Sequence, residues 1–268
     1  MYLAIDIGGT KTLIALFSER GRIIKKDKFK TADESWEFIR DLKQHLEPFQ
    51  NGQIIKVVVA IPGVVQKNYS VRFGNRDWGD IDLISPIKSL FNCPVYFEND
   101  ANLAALYEAH GLHGKTIFLT FSTGIGGGIV EKGRILPESA SFEPGHVKYS
   151  YNGKVAEWED IASAKAIGAH YQVGRATDLR SLAAMKDIAK RVYLGLPDIV
   201  AAYRPRRIIL GGPLGKIFRL YVHFIPRGLG ASLKRPRRPL ESVVYGCYLY
   251  GKRKKADESH ENGATSQN

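Results

Sequence analysis

Residues 2–11 read Tyr-Leu-Ala-Ile-Asp-Ile-Gly-Gly-Thr-Lys, and this stretch decides how the rest of the chain is interpreted. An apolar strand at 2–6 is interrupted by Gly8-Gly9 and resumes at 12–17, which is the pattern of a hairpin. Glycines at such a turn let backbone N–H groups approach an anion closely, and the hydroxyl of Thr10 adds a donor without bulk. The stretch therefore predicts a phosphate cradle at Gly8, Gly9 and Thr10.

A second glycine-rich turn lies further along the chain. The sequence indicates a strand at 115–121, a turn at 122–128 and another strand at 128–131, so that Thr123, Gly124 and Gly126 supply a second cradle. Either loop alone could be a simple tight turn. However, Glu19-Arg20-Gly21-Arg22-Ile23 recurs nearly verbatim as Glu131-Lys132-Gly133-Arg134-Ile135. This duplication predicts two homologous α/β halves that face each other across a cleft.

Two better-known phosphate motifs are excluded. Gly114-Lys115-Thr116 resembles the end of a P-loop, but the position of the earlier glycine holds Ala109 and the segment opens a strand. The first glycine turn joins a strand to a strand, whereas a dinucleotide fingerprint needs a helix N-terminus beneath the pyrophosphate.

Composition sets the class of protein. The chain has 268 residues, 44% hydrophobic and 25% charged, so it folds as a globular protein without disulfide staples. Two cysteines, no signal-like N-terminus and no long apolar run predict a cytoplasmic protein without a membrane span. The net charge is +12, with basic clusters at 20–30, 204–207 and 234–238. They form either a solvated surface or a binding surface for nucleoside triphosphate or polyphosphate, and the lack of interleaved aromatic residues disfavours nucleic acid.

The remaining pattern divides the chain. Strands are predicted at 22–26, 54–61, 94–97 and 207–210, and helices at 34–46, 102–110, 158–170, 182–203 and 240–250. We predict a small N-terminal α/β domain at 1–108, completed by a C-terminal helix at 240–251. A larger nucleotide- and sugar-binding α/β domain follows at 109–239, and 252–268 is predicted to be a disordered tail.

Several motifs occur in the order found in the ROK family of sugar kinases, which the chain resembles over most of residues 1–250. They are Asp6-Ile7-Gly8-Gly9-Thr10-Lys11, Ile61-Pro62-Gly63, Glu98-Asn99-Asp100-Ala101-Asn102, Ser122-Thr123-Gly124-Ile125-Gly126-Gly127-Gly128, Glu143-Pro144-Gly145-His146 and Ile209-Leu210-Gly211-Gly212. The resemblance implies two RNase H-like domains of the actin-like ATPase group with a cleft between them.

Phosphoryl transfer to a sugar needs in-line geometry, neutralised phosphate charge and a base for the hydroxyl proton. The resemblance assigns the base to Asp100, for which the alternative is an N-cap of the helix at 102–110. Asp6, at the end of its strand, is placed to hold a hydrated Mg²⁺ beside the phosphates. The predicted ATP-phosphate residues are Asp6, Gly8, Gly9, Thr10, Lys11, Thr123, Gly124, Gly126, Gly211 and Gly212.

The resemblance also implies a sugar site. It places Asn99, Asp100, Glu143, His146 and Glu159 around the sugar, with Gly63 and Asn75 as secondary candidates. Family members commonly hold zinc with the equivalent histidine and three cysteines downstream, but 147–157 contains no cysteine. We therefore predict no structural zinc, and His146 needs another group to fix its tautomer. A short stretch between Glu159 and Gly211 puts the customary dimer in doubt but leaves a homodimer open.

The function implied by the resemblance is an ATP-dependent, Mg²⁺-requiring kinase for the 6-hydroxyl of a hexose or N-acylhexosamine. Three alternatives stay open. The basic surface favours a polyphosphate-dependent sugar kinase. A sugar-responsive repressor is disfavoured because only five residues precede Asp6. A non-catalytic sugar-binding protein is disfavoured because Asp100 and both glycine turns are retained.

Overall fold

The structure is a computed structural model and describes residues 1–50, 53–65, 70–73 and 78–254. The chain forms two compact units. The first unit comprises Met1–Leu103 and Val243–Asn268, of which 243–254 are described, and the second comprises Ala104–Ser242.

The strands and helices are numbered along the chain. The strands are β1 (Tyr2–Ile7), β2 (Lys11–Phe17), β3 (Ile23–Lys30), β4 (Lys56–Ile61), β5 (Gly63–Val65), β6 (Ser70–Phe73), β7 (Asp80–Asp82), β8 (Val95–Asn99), β9 (Thr116–Phe121), β10 (Ile125–Glu131), β11 (Arg134–Ile135), β12 (Lys148–Tyr151), β13 (Lys154–Glu157), β14 (Arg207–Gly211) and β15 (Ser232–Lys234). The helices are α1 (Ser35–Leu46), α2 (Ile84–Lys88), α3 (Asp100–Glu108), α4 (Trp158–Ala162), α5 (Ala164–His170), α6 (Leu182–Tyr193), α7 (Leu196–Tyr203), α8 (Gly212–Lys216), α9 (Phe218–Tyr221) and α10 (Ser242–Arg253).

The first unit is built on the sheet β3-β2-β1-β4-β8, in which β1, β2 and β3 are antiparallel and β1, β4 and β8 parallel. Strand side chains alternate between the two faces. One face packs Ile5, Ile14 and Val59 against Phe38 and Leu42 of α1. The residues that alternate with these point to the opposite face of the sheet, which packs against α10. The cluster on this face contains Ala4, Ala15, Val58 and Ala60 of the sheet with Val244, Cys247 and Tyr248 of α10.

Helix α10 also approaches α3 very closely. A Cβ added at Gly246 would lie 2.0 Å from the backbone oxygen of Leu103. Real Cβ atoms do not come that near to another atom, so only glycine allows this approach of the two helices.

The second unit repeats the first in its main sheet. The order is β11-β10-β9-β14-β15, with β9, β10 and β11 antiparallel and β9, β14 and β15 parallel. One face packs Ile117, Leu119, Phe121, Ile208 and Leu210 against the helices of this unit. The predicted duplication of an α/β fold is therefore confirmed, because both sheets have the same order and the same strand directions.

The boundaries differ from the prediction at the second glycine turn. The glycines at 126–128 were expected in a turn, but they lie in β10 and pair with 118–120 of β9. A Cβ at Gly127 would come within 2.4 Å of the Phe142 ring. These glycines thus mark close packing on a strand rather than a bend, which is the other reason for glycine within a sheet.

Both long predicted helices are broken. The one expected at 158–170 ends at Ala162, and Ser163 caps the next helix by accepting a hydrogen bond from the Ala166 N–H at 3.1 Å. The one expected at 182–203 breaks before Leu196, where a Cβ at Gly195 would lie 2.7 Å from the Trp158 ring. The second break also coincides with Pro197 in the first turn of α7, where proline is tolerated because the N–H it lacks has no partner within the helix.

The ends of two further helices were also misplaced. Helix α3 begins at Asp100 and not at residue 102. The last helix runs from Ser242 to Arg253, so Lys252 and Arg253 belong to a helix and not to the predicted disordered tail. Among the described residues, no helix combines the length and the apolar character that crossing a membrane requires.

Candidate functional site

The turn between β1 and β2 is held by backbone hydrogen bonds. The Gly8 N–H donates to the Lys11 carbonyl at 3.1 Å, and the Thr31 hydroxyl donates to the Gly8 carbonyl at 2.8 Å. The Thr31 N–H donates to the Thr10 carbonyl at 3.1 Å. A Cβ at Gly8 would lie 2.9 Å from the Lys11 oxygen, so the tight turn excludes a side chain there. The turn is therefore preformed, with the side chains of Thr10 and Lys11 exposed.

Two carboxylates of the first unit, Asp6 on β1 and Asp100 at the start of α3, are close enough for their charges to interact. Burial and the charge of Asp100 raise the pKa of Asp6 to about 7, against the opposing charge of Lys28. Desolvation and a like charge both disfavour the ionised carboxylate. The pair thus carries negative charge that a cation would relieve, and Mg²⁺ prefers a site of one or two carboxylates completed by water and phosphate. Asp6 and Asp100 fit such an ion.

The start of α3 is capped by Asn99 rather than by Asp100. The Asn99 side-chain oxygen accepts from the N–H groups of Ala101 at 2.9 Å and Asn102 at 3.2 Å. Asp100 Oδ1 accepts from the Ala101 N–H at 2.7 Å. The alternative role weighed for Asp100, an N-cap of a helix at 102–110, falls to Asn99, whose side chain satisfies open N–H groups of the first turn.

Glu98 supports this corner, and the sequence analysis did not single it out. Its Oε1 accepts from the Asn99 N–H at 2.9 Å and from Asn102 Nδ2 at 3.0 Å. Burial raises the pKa of Glu98, although these hydrogen bonds oppose the rise. The strand pairing could have revealed it, because Asp6, Ala60 and Glu98 lie in one row across β1, β4 and β8.

In the second unit, Glu159 of α4 lies against the second glycine turn. Its Oε2 accepts from the Ile125 N–H at 3.2 Å. Added Cβ atoms at Gly124 and Gly145 would lie 2.5 Å and 2.7 Å from that oxygen. The Glu159 carboxylate therefore contacts two of the predicted motifs, at Gly124 and at Gly145, and only glycine leaves room for it at either position. The turn is closed by the Ser122 N–H donating to the Gly124 carbonyl at 2.9 Å, and Thr123 is exposed.

His146 has the partner that the sequence analysis required. Its Nδ1 lies 2.8 Å from Oε2 of Glu157, a residue missed from sequence. That hydrogen bond, followed by the charges of Glu159, Glu157 and Glu143, raises the pKa of His146 against the effect of burial. Ligand atoms of His146, Glu157 and Glu159 all lie within 4.8 Å of one another, so these three could hold a cation. They offer one imidazole and two carboxylates and no thiolate, unlike the cysteine-containing sets that are typical of structural zinc sites.

A network of tyrosines and aspartates fastens the segment behind His146. Tyr149 and Tyr151 of β12 donate to Asp198 of α7, at 2.9 Å, and to Asp187 of α6. Arg191 of α6 is bonded to Asp187 at 2.6 Å and donates to the Ile161 carbonyl of α4 at 2.9 Å. Although burial opposes it, hydrogen bonds from Tyr151 and Arg191 lower the pKa of Asp187. Helix α4, which carries Glu159, is thereby fixed to α6.

The other predicted residues are placed as follows. Glu143 is exposed and precedes the short 3-10 turn Pro144–His146. Gly211 ends β14, and Gly212 begins α8 at φ 67°, where a Cβ would lie 2.6 Å from the Phe121 backbone oxygen. Gly63 opens β5, and Asn75 lies outside the described residues.

Comparison with solved structures shows the fold. A ROK family glucokinase from Streptomyces griseus, solved with glucose and AMPPNP, superposes with a TM-score of 0.72 at 21% identity over 94% of this chain and 99% of that one. An inorganic polyphosphate/ATP-glucomannokinase from Arthrobacter sp. strain KM superposes with a TM-score of 0.74 at 20% identity, over 93% of this chain and 97% of that one. The fold is that of the ROK sugar kinases, within the actin-like ATPases.

Sequence comparison gives the family. A model of the ROK family matches residues 2–241, and the chain belongs to this family. A xylose repressor from Bacillus spizizenii (strain ATCC 23059 / NRRL B-14472 / W23) is 31% identical over 59% of this chain and 48% of its own length. An N-acetylmannosamine kinase from Escherichia coli (strain SE11) is 31% identical over 63% of this chain and 64% of its own. The matches thus span about half to two thirds of these relatives, which include both kinases and repressors.

Proposed function

We propose that this protein is an ATP-dependent sugar kinase that transfers the γ-phosphoryl group to the 6-hydroxyl of a hexose or N-acylhexosamine. The observation that carries the proposal is the Asp6–Asp100 pair beside the β1–β2 turn. A protein that only binds sugar has no use for two carboxylates whose charges oppose each other. A kinase uses one for the metal and one for the proton.

Asp100 is the proposed base. The sugar oxygen attacks the γ-phosphorus as the bond from phosphorus to the ADP oxygen breaks, and the hydroxyl proton moves to Asp100. A carboxylate suffices, since the hydroxyl becomes acidic only as its bond to phosphorus forms. Because Asn99 caps α3, the Asp100 carboxylate does not have to serve as the cap.

The donor phosphates are assigned to the two turns. Gly8, Gly9, Thr10 and Lys11 would bind them from the first unit, and Thr123, Gly124, Gly126, Gly211 and Gly212 from the second. Asp6 would hold the Mg²⁺ of the nucleotide through water, and this ion would supply neutralisation of the developing phosphate charge. The relatives named kinases support ATP as the donor.

The sugar is assigned to Asn99, Asp100, Glu143, His146 and Glu159, with Gly63 and Asn75 as weaker candidates. Glu159 is rigid because it accepts the Ile125 N–H, and Glu157 orients the His146 ring. A ring held by a carboxylate at Nδ1 presents Nε2 in a fixed direction. This is the arrangement expected of a group that reads a sugar hydroxyl. A homodimer and a cytoplasmic location stay predictions.

The test is the Asp100→Asn variant in an assay of sugar-dependent ADP formation, with a panel of hexoses and amino sugars. Asparagine keeps the oxygen that accepts the Ala101 N–H, so the variant should fold. We expect kcat to fall by roughly 10²- to 10⁴-fold, with ATP binding by calorimetry largely unchanged.

Asp160→Asn is the matched control, because Asp160 is an exposed carboxylate one residue from Glu159. It should turn over like the unmodified protein. Full turnover by Asp100→Asn would refute the role of the base. Sugar binding by calorimetry without ADP formation in the unmodified protein would favour a repressor-like role, the second class among the relatives.

A further inference from the structure

Four consecutive residues at the start of α3, from Asn99 to Asn102, are held by hydrogen bonds that close on one another. Asn99 Oδ1 accepts from the N–H groups of Ala101 and Asn102. Glu98 Oε1 accepts from the Asn99 N–H at 2.9 Å and from Asn102 Nδ2 at 3.0 Å. We refer to Glu98, Asn99 and Asn102 with these bonds as the Glu98 clamp. One carboxylate oxygen thus joins the two ends of this segment, and Asp100 lies between them.

The strand that carries Glu98 gives the clamp a fixed base. Glu98 and Asn99 are the last two residues of β8, where they pair with Ala60 and Ile61 of β4. Ala60 pairs in turn with Asp6 of β1, so Glu98 and Asp6 lie in one row of the same sheet. A group on a strand is held more precisely than a group on a loop. The clamp therefore ties the segment around Asp100 to the sheet that carries Asp6.

Stability does not explain the choice of these side chains. Burial raises the pKa of Glu98, and the hydrogen bonds from Asn102 and Asn99 oppose the rise without cancelling it. The ionised carboxylate is therefore less well solvated than it would be in water. Asn102 is buried, and within the described part of the chain its Oδ1 has no hydrogen-bond partner. Apolar residues of the same shape would avoid both penalties, so another property accounts for the clamp.

A second carboxylate, at the other end of α3, provides a comparison. Glu108 is the last residue of this helix and is buried. It accepts from the N–H groups of Arg237 at 2.7 Å and Arg238 at 3.1 Å, and the Ser242 hydroxyl donates to it at 2.6 Å. Glu108 lies about 12 Å along the helix axis from Asp100. It thus makes bonds of the same kind as Glu98, but far from the proposed base.

We propose that Glu98 is a positioning residue of the phosphoryl-transfer site, which holds the backbone of Asp100 in place relative to Asp6 and holds Asn99 for the sugar. A displacement of about 1 Å at a reacting group can lower a rate by roughly 100-fold, so Glu98 affects turnover without taking part in the reaction. The effect on turnover rests on the proposed kinase function. The effect on the geometry of residues 99–102 does not.

Three variants test the clamp. Glu98→Gln keeps the oxygen that accepts from Asn99 and Asn102, whereas Glu98→Met removes it and keeps the length of the side chain. Glu98→Met/Asn102→Leu replaces both partners by apolar groups of similar shape, an exchange that can leave stability nearly unchanged. This double variant keeps the test decisive if the single one folds poorly. Glu108→Met is the matched control, because it removes the buried carboxylate at the other end of the same helix.

Turnover is measured with ATP and the same panel of hexoses and amino sugars, and urea unfolding is measured on every protein. We expect kcat to fall by roughly 10- to 100-fold in Glu98→Met and in the double variant, and to stay within about threefold in Glu98→Gln. Glu108→Met should lower the free energy of unfolding at least as much as Glu98→Met, because it leaves more donors without a partner. The folded fraction of Glu108→Met should nevertheless turn over within about threefold of the unmodified protein.

Amide hydrogen exchange, followed by NMR without any ligand, reports the clamp itself. The N–H groups of Ala101 and Asn102 should exchange about fivefold faster or more in Glu98→Met, because the segment that holds them opens more often. Their exchange should be unchanged in Glu98→Gln and in Glu108→Met.

The outcomes separate this proposal from the kinase assignment. Turnover by Glu98→Met within about threefold of the unmodified protein, or an equal loss in Glu108→Met, would overturn the positioning role. A loss in Glu98→Gln as large as that in Glu98→Met would also overturn it, because the accepting oxygen is retained. If the unmodified protein phosphorylates no sugar, the kinase function fails. Exchange at Ala101 and Asn102 then still decides whether Glu98 holds the segment, and unchanged exchange in Glu98→Met would show that it does not.

Discussion

At the scale of single residues, the candidate site depends on how two of its carboxylates, Asp6 and Glu157, interact with their charged neighbours. Burial and the charge of Asp100 raise the pKa of Asp6, whereas the hydrogen bond to Glu157 raises the pKa of His146. The first arrangement is suited to a cation and the second to a fixed ring. The Asp6–Asp100 pair is therefore suited to binding a charged ligand, and the Glu157–His146 pair is suited to holding the imidazole ring in one orientation.

Asp6 gives a prediction about pH. The pKa of Asp6 is about 7 in the folded protein, whereas the ordinary value for an aspartate, which applies to the unfolded chain, is 3.8. As pH rises, Asp6 therefore loses its proton in the unfolded chain first. Stability contributed by the neutral form is present below pH 4 and is lost as pH rises through 7. Asp6→Asn should therefore raise the free energy of unfolding by about 1–3 kcal/mol at pH 8 and by little at pH 4.

Urea unfolding at both pH values, in EDTA, measures this difference. Asp82→Asn is a suitable control, because hydrogen bonds from Ser85 lower the pKa of that carboxyl in spite of its partial burial. Its removal should destabilise at pH 8 instead. A gain from Asp6→Asn that is the same at both pH values would contradict the pKa assignment.

At the scale of elements, Gly195 lies at a helix break that the predicted single helix at 182–203 missed. An added methyl group would overlap the Trp158 ring, which is wholly buried. Gly195→Ala should lower the free energy of unfolding by about 1–3 kcal/mol, the cost of overpacking a core. Denaturant titration followed by circular dichroism measures it. Gly174→Ala is the control, since nothing lies within 4 Å of a Cβ there, and its effect should stay within about 0.5 kcal/mol.

The glycine motifs show what sequence could reveal about the elements. The hairpin at Gly8 and the duplicated sheet follow from apolar runs and turn residues, and the structure confirms them. The strand position of 126–128 depends on pairing with β9 and on the Phe142 ring, and the pairing of Glu157 with His146 depends on two segments that meet only in the fold. Local patterns predict where chains bend, but they cannot predict which neighbour fills a space.

At the scale of the whole molecule, each unit has its own buried core, and each contains tryptophan. Trp158 lies in the second unit, and Trp36 and Trp78 lie in the first. Leu42 is fully buried in the first unit, so Leu42→Ala should cost that unit about 2–5 kcal/mol. Gly195→Ala should act on the second unit.

Fluorescence in the Trp158→Phe and the Trp36→Phe/Trp78→Phe backgrounds reports the units separately. We expect Leu42→Ala to shift mainly the transition seen by Trp36 and Trp78, and Gly195→Ala mainly the one seen by Trp158. Identical shifts at both reporters in each variant would instead show a single cooperative transition.

The contact at Gly246 joins the C-terminal helix α10 to α3. A lone hydrogen atom at this position is what lets the C-terminal helix rest on the carbonyl of Leu103, one helical turn after the acid that would drive catalysis. Even the methyl group of an alanine at this position would force α10 and α3 apart and shift the start of α3. The orientation of the Asp100 carboxylate thus depends on a glycine nearly one hundred and fifty residues further along the chain.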